Sequence, residues 1–162
     1  MNATCVSTTL GLAPWNNSTI IQNDMPGKEH PMSTAFYLNL PVKDLAVSRS
    51  FYGALGFAFD ERFADENMDA VVISDTLSVL LLVEPYFATF TTKQVADAGT
   101  SAQALFAIGM ESRERVDELL DRALTAGGQP AGEDRDLDFL YGRGFTDPDG
   151  HQWDIIHVPA AG

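Results

Sequence analysis

Cysteine is almost missing from the chain: Cys5 stands alone among 162 residues. A single thiol excludes an intrachain disulfide and a thiolate-rich zinc site, and it fits a reducing, cytoplasmic setting. Basic residues are scarce, with 10 Lys and Arg against 23 Asp and Glu, a formal charge of −13. So little positive charge excludes nucleic acid, whose phosphates would go unneutralised, and it disfavours anionic membrane surfaces. The acidic excess reads either as a solubilising surface or as a preference for a cationic ligand. Long apolar runs are absent too. The longest, Val79 to Val83 (VLLLV), is strand-sized, far short of the roughly 20 residues that cross a bilayer. There is no Ser-His-Asp order, no phosphate-cradling glycine loop and no paired-cysteine motif. The first residues lack the basic and apolar regions of a signal peptide.

What is present is globular in character, with 45% apolar and 20% charged residues. Residues 1–33 are rich in Asn, Ser, Thr, Pro and Gly without periodicity and read as a loosely ordered extension. From Ala35 the pattern sharpens. AFYLNLPV alternates, placing Phe36, Leu38, Leu40 and Val42 on one face, with Tyr37 and Asn39 on the other. Asp44 then caps a helix whose Leu45, Val47, Ser48, Phe51, Tyr52 and Leu55 recur at three- and four-residue spacing, and Gly56 ends it. Strands are expected around Phe57–Phe63, Met68–Ser74 and Leu77–Glu84, the last two joined by a tight turn at Asp75-Thr76.

The same order then repeats. Ala104 to Met110 alternates, Ser112 caps a helix with an apolar stripe at Val116, Leu119, Leu120 and Ala123, and Gly127-Gly128 closes it. Extended segments follow near Gln129–Asp134 and Phe139–Phe145, and a DPDG turn launches His151–Val158. The two caps lie 112 − 44 = 68 residues apart, so the body is an internal duplication of a βαβββ unit. The expected organisation is an extension over 1–33, a first module over 34–84, a linker over 85–100, a second module over 101–159 and a tail over 160–162. The linker carries Tyr86, Phe87 and Phe90 and is suited to covering something.

The opening LNLPVKDLAVSRSFYGALGF and the closing FTDPDGHQWDII resemble the vicinal oxygen chelate superfamily, which groups glyoxalase I, extradiol dioxygenases, fosfomycin-resistance enzymes and bleomycin-binding resistance proteins. The linker resembles a subgroup described as predicted lactoylglutathione lyases. The resemblance covers about Phe36 to Pro159. It implies an α+β fold: two tandem βαβββ modules forming a curved mixed sheet around a concave pocket, helices outside. It also implies a homodimer, as members of the superfamily often pair.

Alternation assigns the faces. Helices cover the more apolar side, so Trp153 and Ile155 face them, and His151 and His157 share that parity. The opposite set, Tyr37, Asn39, Leu80, Leu82, Leu105, Gln152 and Asp154, then lines the pocket, with Glu84 at its end. Tyr37 and Asn39 offer a ring, a hydroxyl and an amide. Tyr141 and Arg143 share one parity of their strand, and Arg143 suits a ligand carboxylate or a surface ion pair. Glu84 and Asp154 are the candidate proton-transfer groups. His151 reads as a solvent-facing or turn-bonding residue and His157 as packed at the sheet end. Asp147 and Asp149 fix the turn rather than bind calcium.

The superfamily's metal sites take one ligand from each module's opening strand and one from each closing strand. Carried over, these positions fall on Tyr37, Leu80, Leu105 and Asp154, of which Asp154 alone is an ordinary ligand. The resemblance and this departure together imply a protein that holds a small organic molecule, cationic if the acidic charge extends into the pocket, without a cofactor. The competing implication is a glyoxalase-like lyase or dioxygenase with a divergent site for Zn, Ni, Mn or Fe. Catalysis stays open between the two.

Overall fold

Strand β1 (Phe36–Val42) is the first element in the computed structural model, which describes residues 34–102 and 104–160. The N-terminal extension, with Cys5, Trp15, Ile20 and Ile21, and the last two residues of the tail lie outside the described residues. Helix α1 (Leu45–Leu55) starts where Asp44 Oδ1 accepts from the Ala46 and Val47 amides at 2.8 and 3.1 Å. It stops at Gly56, whose φ of 98° few other residues tolerate. Then come β2 (Ala58–Phe59), β3 (Met68–Ser74) and β4 (Leu77–Val83). The sheet order is β1-β4-β3-β2, with β1 parallel to β4.

A short helix α2 (Glu84–Phe87) and a single 3-10 turn (Ala88–Phe90) open the linker. The second module has β5 (Phe106–Gly109), then α3 (Arg113–Thr125), capped by Ser112 Oγ accepting from the Arg115 amide. Strands β6 (Gln129–Pro130), β7 (Arg135–Leu137), β8 (Leu140–Thr146) and β9 (Gln152–His157) complete it. Their order is β5-β9-β8-β6, with β7 also paired to β8 and β5 parallel to β9. The result is the expected α+β architecture, built as two mixed sheets. No helix of the described residues is long and apolar enough to cross a membrane.

Two segments depart from expectation for local reasons. The strand over Phe57–Phe63 shrinks to Ala58–Phe59, because the Asp60 side chain accepts from the Arg62 amide and caps a 3-10 turn at Glu61–Phe63. The segment over Gln129–Asp134 keeps only two strand residues. Pro130 has no amide to extend the ladder, and Gly132 turns the chain at a φ of 71°. The hairpin β7–β8 follows, an added strand that alternation does not reveal.

Face assignments from alternation agree with the register. Leu38 pairs with Val79, Leu40 with Leu81, and Ile108 with Ile155. These helix-facing residues join α1 and α3 in one core, with Phe51, Tyr52, Val116, Phe145 and Trp153 buried in it. The modules interlock there: the Phe51 and Phe145 rings are 6.0 Å apart, and Tyr52 meets Trp153 edge-on at 6.0 Å. Each such fully buried side chain contributes about 1.5–3 kcal/mol.

The opposite face of the first sheet is also filled. Met68, Ala70, Leu80 and Leu82 form a second buried cluster with Phe63, Tyr86 and Phe87 packed over it. The opposite face of the second sheet is built differently. There Gly142 pairs with Ile156, Gly144 with Asp154 and Thr146 with Gln152, so glycine backbone forms much of the floor. At Gly144 an added Cβ would lie 2.2 Å from the Ala131 carbonyl oxygen, so that strand has no room for a side chain.

Candidate functional site

A cavity of about 710 Å³ runs along the free edge of β1. One wall is Leu38–Pro41; another is Phe106, Thr146 and Gln152 of the second module; the linker from Thr91 to Ala102 forms the cover. Phe87 and Phe106 supply aromatic surface, and Asn39, Gln94 and Gln152 supply amides. Its size is in the roughly 300–1,000 Å³ range of small-molecule sites, and its mixture of apolar wall and a few polar groups suits one.

The end of the cavity is made by the DPDG turn, which also joins the modules. Asp147 Oδ1 accepts from the Asp149 and His151 amides at 3.0 and 2.9 Å, closing the turn on itself. Asp147 Oδ2 accepts from the Tyr52 hydroxyl at 2.6 Å. Asp149 accepts from the Lys43 amide at 2.9 Å and the Ser48 hydroxyl at 3.1 Å. Burial pushes the Asp147 carboxyl above its ordinary range, and burial beside Asp147 pushes the Tyr52 phenol well above its own. Both aspartates therefore fix backbone geometry, as the turn sequence implies, and tie α1 to the turn as well.

Of the two readings of His151, turn-bonding holds and solvent-facing does not: its amide donates to Asp147 Oδ1 and its carbonyl accepts from the Asp147 amide at 3.0 Å. His151 is 8% exposed and lines the cavity, and its Nε2 donates to the Pro41 carbonyl at 2.8 Å. A carbonyl only accepts, so Nε2 carries the proton of that bond. His157 sits at the sheet end as expected, with Nδ1 donating to the Met110 carbonyl at 3.0 Å.

Of the other residues singled out by sequence, Asn39 and Gln152 line the cavity. Leu80 and Leu82 do not; they are sealed in the apolar cluster. Tyr37 packs its ring 5.9 Å from Phe63 beside a smaller cleft of about 260 Å³. Leu105 precedes β5 and is 57% exposed. Glu84 falls past the end of β4, exposed at the first position of α2. Tyr141 and Arg143 lie opposite His157 and Ile155, on the helix-covered face. There the Tyr141 ring is flanked by the Arg113 and Arg143 guanidinium groups at 4.7 and 4.4 Å, and its hydroxyl donates to Asp117. Desolvation is the main cause that raises the Tyr141 phenol above its usual range.

Asp154 projects from the floor of the second sheet, where Arg135 Nη1 donates to its Oδ2 at 3.1 Å. In the strand register Leu80 is paired with Asn39 and not with Tyr37, and Asp154 with Ala107 and not with Leu105, so those neighbours are the alternatives at the two opening-strand positions. Either way the set holds at most one phenol or one amide beside an aspartate already bound to an arginine, which does not fit a divalent cation. Among the described residues, no three His, Cys, Asp or Glu side chains come together to hold a metal ion.

Sequence reasoning misses the linker residues, Thr146 and His151 as cavity wall. The linker has no periodicity to assign a face, and the parity of His151 points it at the helix side, where the module junction opens. The aromatic content of the linker is the signal that hints at its covering role.

Several solved structures share this frame. A hypothetical protein from S. aureus superposes with a TM-score of 0.67 at 26% identity, covering 79% of this chain and 96% of that one. TnmS3, an antibiotic binding protein from Streptomyces sp. CB03234, does so at 0.56 and 19% identity, covering 80% and 99%. FosX, the fosfomycin resistance protein from Listeria monocytogenes complexed with Mn(II) and sulfate, gives 0.59 at 16% identity, covering 80% and 94%. No curated protein matches the sequence. The family model of the glyoxalase/bleomycin resistance protein/dioxygenase superfamily matches residues 34–155, and with the duplicated fold beneath that match, the chain belongs to this superfamily.

Proposed function

We propose that the protein binds a small organic molecule in the cavity between β1 and the linker, and that it does so without a divalent metal centre. The observation that carries this reading is the cavity itself: about 710 Å³, walled by Leu38, Phe87 and Phe106 and furnished with amides and hydroxyls. Apolar side chains at ligand positions support metal independence, because Leu80 and either Leu105 or Ala107 have no lone pair to give. An antibiotic binding protein among the structural neighbours is consistent with sequestration as a use of the frame.

The competing reading, a lactoylglutathione lyase or a dioxygenase, needs a Lewis acid and a mobile proton acceptor near it. Its candidate acceptors are poorly placed, with Glu84 exposed outside the cavity lining and Asp154 held by Arg135.

Elemental analysis of protein purified without chelator tests the proposal. Zinc, nickel, manganese and iron are each expected well below one equivalent, and no lactoylglutathione turnover is expected when they are added. One equivalent of any of them, lost in Asp154→Ala, would overturn it. A thermal-shift screen is the positive arm: a ligand at a hundred times its Kd raises stability by about 2.7 kcal/mol.

A further inference from the structure

The acidic surplus of this chain does not reach its cavity. Of the 23 Asp and Glu in the sequence, none of those in the described residues lines it. The linker that covers it holds one carboxylate, Asp97, and that group is engaged elsewhere. Asp97 Oδ1 accepts from the Gly99 amide at 3.1 Å and lies 3.9 Å from Lys43 Nζ, while Oδ2 accepts from the Thr100 hydroxyl at 3.3 Å. Asp147 and Asp149 stand behind the cavity end: Asp147 accepts from the Tyr52 hydroxyl of α1 and from amides of its own turn, and Asp149 from the Lys43 amide and the Ser48 hydroxyl.

What does line the cavity is apolar or uncharged polar side chains, apart from His151 and one lysine. Lys93, exposed on the linker, is the only lining residue with a full formal positive charge, and it has no ion-pair partner among the described residues. Deeper in, His151 is more than nine-tenths buried, with Nε2 committed to the Pro41 carbonyl. Its Nδ1 has no hydrogen bond from any described residue and is open to a ligand. A buried cation placed here would shed its water and meet no counter-charge, which is costly. A neutral or anionic molecule would meet amides, hydroxyls and the Lys93 ammonium.

The geometry points to a cavity that selects neutral or singly anionic ligands with an apolar ring body, Lys93 holding the charged end at the rim and His151 accepting an O–H or N–H inside. This rests on the reading of the cavity as the binding site, and it reverses the ligand charge that the net charge of −13 suggests.

Three naphthyl probes of like shape separate the possibilities: neutral N-phenylnaphthylamine, the anion anilinonaphthalene sulfonate, and naphthylmethyl-trimethylammonium as a competing cation. Fluorescence titration is expected to show both the amine and the sulfonate bound. The ammonium should displace them at least about tenfold more weakly, as a cation without a counter-charge must. Lys93→Glu is expected to weaken the sulfonate about fivefold relative to the amine. Ammonium binding equal to or tighter than the amine would overturn the charge class while leaving the cavity as the site. A sulfonate-to-amine ratio unmoved by Lys93→Glu would overturn the role of Lys93. Ala96→Trp and Ala104→Trp, two separate ways to fill the cavity, should each abolish amine binding in a protein that still melts cooperatively. Amine binding that survives both, or is absent from the wild type, would overturn the cavity reading and this inference with it.

Discussion

The Tyr52 hydroxyl donates to Asp147 Oδ2 at 2.6 Å, joining the helix of the first module to the turn of the second across 95 residues of chain. Both side chains are buried, Tyr52 at 1% and Asp147 at 4% exposure. Tyr52→Phe keeps the ring against Trp153 and removes only this bond. It leaves one carboxylate oxygen unsatisfied in the core, so a loss of about 1–3 kcal/mol is expected by urea denaturation. A loss near zero would mean that the hydroxyl does not help hold the modules.

The same pair sets two pH dependences. The Asp147 carboxyl is raised by burial above its ordinary 3.8, so the native state favours its protonated form. Its contribution is fully present below 3.8 and is lost as pH rises through the elevated native value. Asp147→Asn should therefore flatten the stability profile in the window between 3.8 and the elevated native value. The Tyr52 phenol is raised well above 10.0, chiefly by burial. Its contribution is complete below 10.0 and is lost above it, because the unfolded phenol ionises first. Alkaline unfolding should accordingly be shallower in Tyr52→Phe. Melting temperatures measured across the acid and alkaline limbs check both signs.

Gly150 and Gly99 touch backbone to backbone. A Cβ on Gly150 would lie 2.7 Å from the Gly99 Cα and nitrogen, and the φ of 98° disfavours any side chain. Gly150→Ala is expected to lift the linker from the turn, with a stability loss of at least about 1 kcal/mol. Faster proteolysis within residues 91–102 and weakened probe binding should accompany it. An unchanged cleavage pattern would show that the cover is held by other contacts.

Leu82 is 1% exposed in the cluster under Phe63, Tyr86 and Phe87. Leu82→Ala should cost about 2–5 kcal/mol while leaving the affinity of N-phenylnaphthylamine near its wild-type value at a temperature where the variant is folded. A selective loss of affinity would instead make this face part of the ligand wall.

Much of the fold is legible because its rules are local. The caps at Asp44 and Ser112, the stop at Gly56 and the helix-facing parity of Leu40, Val79 and Ile155 each follow from a few neighbouring residues. The site is less legible because it is assembled from distant pieces. Asn39 and Gln152 reach the cavity through strand parity, but His151 does so only because the docked modules bring its ring to the Pro41 carbonyl. Tyr141 and Arg143 illustrate the reverse. Their shared parity is plain in the sequence, yet which face it is depends on the pairing of Phe145 with Trp153 across the turn.

A duplicated βαβββ unit starts with two equivalent sheets. Here the corresponding faces differ: that of the first sheet is closed by Phe63, Tyr86 and Phe87 from the chain itself, and that of the second is floored by Gly142 and Gly144. The repeat therefore survives in the scaffold, its caps and its strand order, and not in the surfaces that the two sheets present.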